Sequence, residues 1–141
     1  MKRLILSVLA VFAIAAIVVG CGSSNTELQG TWRTTLDDAN IGSLSITYTF
    51  SGNNWECTWA STTFNAEMSG TFTFDSTANP KTLDLLFTYA DEMFGFTIEG
   101  GTLYGIYQLS GTNLTLTFGG DPGTARPTSF TDSFVLVLSK Q

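Results

Sequence analysis

Two cysteines, twelve carboxylates and no histidine are what this 141-residue chain offers for chemistry. Cys21 closes the tetrapeptide Val18-Val19-Gly20-Cys21, after Lys2-Arg3 and an apolar run from Leu4 to Val19. This is the pattern of a bacterial lipobox: the thiol is alkylated with diacylglycerol, a peptidase that accepts only a small residue cuts after Gly20, and the new amino-terminus is acylated. The apolar run is short against the roughly 20 residues of a spanning helix, and its basic start and small-residue end match an export signal. Several acyl chains on one cysteine hold a protein at a membrane stably, since each buried methylene contributes about 0.8 kcal/mol. Cys21 is thus predicted as the lipidation site, residues 1–20 as a lipoprotein signal peptide, and the membrane as an anchor. Gly22 rather than aspartate follows the cysteine, which in a double-membrane bacterium leaves the protein free to reach the outer membrane. The expected location is the cell envelope.

The remaining groups argue against catalysis. Without histidine, the commonest general base, the usual triad base and the commonest metal ligand are missing. Asp37-Asp38 and Asp91-Glu92 sit beside Gly, Asn or Ala in predicted loops, where they read as solvated turn residues rather than a glycosidase pair. Asp121-Pro122-Gly123 lacks the alternating oxygen ligands of a calcium loop and reads as a turn. With Cys21 assigned to lipid, Cys57 has no disulfide partner, and a buried thiol in an apolar strand is expected. No enzyme activity, cofactor or metal is predicted. Cleavage after Gly20 leaves four basic side chains against twelve acidic ones, a net charge of −8, and such a chain repels nucleic acid.

The elements around these residues are strands. Residues 21–27 are small and polar enough for a lipidated tether, and residues 28–141 form one domain of ordinary size. Short runs rich in Phe, Tyr, Trp, Thr, Val and Ile recur between Gly, Asn, Asp and Pro, the signature of an antiparallel barrel or sandwich. Leu44, Ile46, Tyr48 and Phe50 alternate with polar residues, as do Trp55, Cys57 and Trp59, so each set shares a face. Ser51 to Asn54 joins these two strands as a hairpin turn. Further strands are predicted over Thr31–Leu36, Met68–Asp75, around Leu83, Leu85, Phe87 and Tyr89, and over Thr102–Leu109, Asn113–Phe118 and Thr131–Leu138. Met93-Phe94-Gly95-Phe96-Thr97-Ile98 reads as a partly ordered loop. Eight sequential strands with short returns predict an all-β, eight-stranded antiparallel up-and-down barrel, with a two-sheet sandwich as the alternative.

Leu28-Gln29-Gly30-Thr31-Trp32 is similar to the Gly-x-Trp opening of the lipocalins. The chain more closely resembles an uncharacterised family of bacterial lipocalin-like domains. The shared segments are this opening, Gly70 to Asp75, Pro80 to Leu85, Ile106 to Gly111 and Arg126 to Phe130, in that order. The chain departs from the family pattern at Gly111-Thr112-Asn113 and at the terminal Lys140-Gln141. The resemblance implies a lipocalin-like barrel and brings no established activity. It also implies structural barrel closure by Gly30, Trp32 and Arg126: Trp32 plugs the closed end with a basic side chain, Arg126 or Arg33, packed on its ring, and Gly30 gives the chain room to turn.

Two functional expectations follow. Aromatic side chains on the faces taken as inward, Tyr48, Phe50, Trp55, Trp59, Phe72, Phe74, Phe87 and Tyr107, with Tyr89 and Phe118, suit a small apolar ligand inside the barrel. The same side chains can fill an eight-stranded interior completely. The alternative is therefore an envelope interaction or inhibitor module with a solid core, in which loops such as Phe94-Gly95-Phe96 meet a protein partner. A cavity on the order of 300 Å³ separates the two.

Overall fold

The computed structural model describes residues 25–92, 101–131 and 134–141. Within them a 3-10 turn, Asn25–Glu27, precedes eight strands: β1 Gly30–Asp38, β2 Gly42–Ser51, β3 Asn54–Ala60, β4 Asn65–Asp75, β5 Lys81–Ala90, β6 Thr102–Ser110, β7 Asn113–Phe118 and β8 Val135–Lys140. Each strand pairs antiparallel with the next, and β8 returns to β1, so the sheet closes into a barrel with strand order equal to chain order. The seam is short. Nine residue pairs join β1 to β2, whereas Trp32↔Lys140 and Arg33↔Ser139 are the paired residues between β1 and β8.

Alternation decides what faces in. Along β2 the buried residues are Leu44, Ile46, Tyr48 and Phe50, with Ser45, Thr47 and Thr49 between them only partly covered. A strand period of two sends the apolar set to the core and the hydroxyls to the outside. Threonine and serine dominate the outward positions of β1 to β4, the inverse of a barrel that presents an apolar band to lipid. The predicted signal peptide, Cys21 and Met93 to Ile98 lie outside the described residues.

Two features break the simple pattern. In β5, Gly70 of β4 stands opposite Phe87 and Ser69 opposite Tyr89, so Thr88 is an extra residue in the ladder. The bulge reverses the alternation beyond it. Tyr89, expected inside, is turned out and 48% exposed, and Ala90 takes the inward place opposite Met68. Gly70 permits the bulge, because a Cβ there would lie 1.7 Å from the Leu86 carbonyl oxygen. That oxygen accepts a hydrogen bond from Trp55 Nε1 at 3.1 Å.

The second feature is the segment 119–131 after β7, which lies on the outer wall as a strap. Ile106 and Thr117 occupy outward positions and are nonetheless buried. Arg126 of the strap grips Asp84 on β5 in a two-pronged pair, Nη1 to Oδ1 at 2.5 Å and Nη2 to Oδ2 at 3.0 Å. Its Nη1 also donates to the Gly105 carbonyl at 2.8 Å, and its guanidinium lies 5.5 Å from the centre of the Tyr104 ring. Thr117 Oγ1 donates to the Phe134 carbonyl just before β8. The last strand accordingly starts at Val135, opposite Thr117, rather than at Thr131.

Candidate functional site

The entering chain closes one end of the barrel, where the β2–β3, β4–β5 and β6–β7 turns also lie, and the other four connections are at the opposite end. Leu28 is wholly buried beneath the barrel, and its carbonyl accepts from Trp32 Nε1 at 2.8 Å. The cation on the Trp32 ring is Lys140, with Nζ 5.1 Å from the ring centre; Arg126 is on the outer wall and Arg33 is exposed on β1. Gly30 has a φ of +115°, a conformation that favours glycine, and the Lys140 side chain passes 3.2 Å from where a Cβ would stand.

Glu27 ties the entering chain to the closed end. Its carboxylate accepts a hydrogen bond from the Tyr107 hydroxyl and pairs with Lys81 Nζ at 3.1 Å. Burial, and then the Glu27 carboxylate beside it, hold the Tyr107 phenol well above its ordinary pKa.

Seven of the eight candidate interior residues form one chain of ring contacts. Phe87 meets Trp55 at 5.1 Å, Trp55 meets Tyr48 at 6.4 Å, and Tyr48 meets Phe50 at 6.2 Å between ring centres. The chain continues from Phe50 to Phe72 at 4.9 Å, Phe72 to Phe74 at 6.3 Å and Phe74 to Tyr107 at 6.4 Å. These distances are those of offset and edge-to-face aromatic packing. Trp59 is the eighth. It is only partly buried at the end of β3 away from the entering chain, in the company of Leu36, Ile41, Phe64, Ala90 and Phe118, apolar side chains that pack on the core while keeping an exposed side.

Cys57 is the neighbour of Trp59 on the same face of β3. The Cys57 thiol is buried and free of disulfide, and the neighbouring Tyr48 and Trp59 side chains each favour its ionised form. Desolvation outweighs both and pushes the thiol pKa up to about 12; Tyr48 is raised as well, first by its own burial. A thiol this reluctant to ionise is a poor nucleophile. Of the carboxylate pairs expected in loops, Asp37 and Asp38 instead end β1, paired with Ser43 and Gly42, while Asp91 and Glu92 follow β5. Asp38 Oδ1 accepts from the backbone of Asn40 and Ile41. Asp91 accepts from the Tyr89 hydroxyl and the Glu67 amide, which holds its pKa below the usual carboxylate value. Among the described residues no three Cys, Asp or Glu side chains converge to hold a metal ion.

Sequence reasoning missed the strap's grip on Asp84, the Lys140 cation and the Glu27–Lys81–Tyr107 cluster. One signal was available for the first: Gly105-Ile106-Tyr107 places an apolar residue on each face of β6, which requires a cover outside the barrel. Compared with protein-family models, curated proteins and solved structures, the chain matches none.

Proposed function

We propose that this chain is a lipid-anchored cell-envelope protein whose lipocalin-like barrel works by binding, and that it receives a small apolar ligand at the mouth opposite the entering chain. The observation that carries the reading is the division of the aromatic residues. Seven contact one another in one run of rings, and Trp59, Phe64 and Phe118 are partly buried at the end opposite the entering chain. The anchor rests on Cys21 in its lipobox. A cross-linked or dissociating thiol at Cys57 plays no part.

The solid run of rings also favours a second reading, an interaction module whose barrel is a rigid scaffold for a protein partner. Native mass spectrometry of the full chain purified from bacterial membranes, before and after organic extraction, separates the two. A retained apolar species that is lost on extraction supports ligand binding. A bare mass with no uptake on titration with fatty acids and sterols moves the assignment to the interaction module. The same spectra test the anchor: a chain starting at Cys21 with added acyl mass is expected, and Cys21→Ser removes that mass.

A further inference from the structure

A recess with a volume of about 360 Å³ lies at the closed end of the barrel. That places it within the range of about 300–1,000 Å³ usual for small-molecule sites. Three separate parts of the chain build it. Ala78 and Pro80 come from the β4–β5 turn, Tyr107 and Leu109 from the end of β6, and Phe130 from the strap. Lys81 is the one charged side chain among the lining residues. In a chain whose residues 21–141 carry four basic side chains against twelve acidic ones, Lys81 is the group of this recess able to receive an anion, through the ammonium donor that its Glu27 contacts leave over.

The ammonium is also held in place. Glu27 fixes it at 3.1 Å from outside the lining, and the Tyr107 ring lies 5.6 Å beneath it. Glu27 is itself occupied by the Tyr107 hydroxyl. An ammonium has three donors, so a donor remains after the Glu27 contacts. We infer that this recess is a binding site for a small amphipathic monoanion, an apolar or aromatic body set between Pro80, Leu109 and Phe130 with its carboxylate on Lys81. The strap is part of the site, since it supplies Phe130. The site is separate from the mouth and does not depend on what binds there.

Matched probes test it: 4-phenylbutyrate, 4-phenylbutanol and 4-phenylbutylamine, titrated calorimetrically into the full chain in lipid nanodiscs, with empty nanodiscs as reference. Saturable binding of the carboxylate is expected, at least about tenfold tighter than the alcohol or the amine, because a charge-assisted hydrogen bond is gained. Lys81→Met and Leu109→Trp should each weaken it at least about tenfold, the first by removing the charge and the second by filling the space, while Lys81→Arg keeps binding within a few fold. Trp59→Ala, at the mouth, should leave it unchanged. The inference is overturned by absence of saturable carboxylate binding, by equal affinity for the alcohol, or by loss with Trp59→Ala but not with Lys81→Met and Leu109→Trp. Circular dichroism of each variant separates loss of the site from loss of the fold.

Discussion

Phe50 and Trp59 occupy inward positions on neighbouring strands, yet they do different work. Phe50 is 1% exposed and in contact with both Tyr48 and Phe72, so Phe50→Ala leaves a cavity among rings and is expected to cost about 3–5 kcal/mol in urea unfolding. Trp59→Ala is expected to cost about half as much, since its ring already faces water on one side, and to abolish apolar ligand uptake at the mouth. Equal loss of stability with unchanged uptake would reject that division. Cys57 gives a second prediction. Its thiol pKa is raised in the folded state from 9.0 to about 12, so the stability it contributes is complete below the unfolded value and declines as pH rises from about 9 towards 12. Chemical denaturation across pH 7–12 should show stability level near neutrality and falling above it, with Tyr48 acting in the same direction. Maleimide at pH 8 should label Cys57 only after unfolding. Burial of Cys57 was legible because it alternates with Glu56 and Thr58. The partner of Trp32 was not: Lys140 and Trp32 are joined by barrel closure across the length of the domain, and no local spacing encodes that register.

Strands were legible because their hydrophobic period is local, and the places where the sequence misled are those where the period is interrupted. Leu83, Leu85, Phe87 and Tyr89 read as one face, but a single extra residue at Thr88 turns the last of them outward. The clue was on the neighbouring strand, in Gly70, and only the pairing connects the two. Gly70→Ala should force β5 away from β4, because the clash is with the backbone of Leu86, and should destabilise the barrel by about 3 kcal/mol in thermal or urea unfolding. The strap is a different kind of element, held by side chains instead of a ladder. Arg126→Ala removes the two-pronged pair, the Gly105 contact and the Tyr104 stack together, and about 2 kcal/mol is expected. Asp84→Asn keeps the stack and one hydrogen-bonding oxygen and should cost about half of that. Faster amide exchange at Ile106 and Thr117 in both variants would follow if the strap lifts; unchanged exchange would show that other contacts hold it.

At the scale of the molecule, the eight strands, their antiparallel order and the aromatic interior could be read from the chain because hairpin connections pair sequential strands and leave few alternatives. What the barrel does with its two ends could not, since the recess beside Lys81 joins a turn, a strand end and the strap from three parts of the sequence. Closure itself has a cost that the other pairings do not share. The seam from β8 to β1 brings together residues more than a hundred positions apart through two residue pairs, a backbone hydrogen bond from Gln141 N to Thr31 O at 2.9 Å, and the Lys140–Trp32 contact. It is the line along which the cylinder would unzip. An opened seam exposes two unsatisfied edges, each complementary to the opposite edge of another copy, and exchange of terminal strands between molecules is the expected failure of such a design. Removing Lys140 and Gln141 should therefore raise the fraction of strand-exchanged dimer after concentration in mild urea, read by gel filtration. A shortened chain as monomeric as its parent would place the weak line elsewhere. Thus the same contacts that look like a plug beneath the barrel also serve as a latch that keeps one molecule from becoming two.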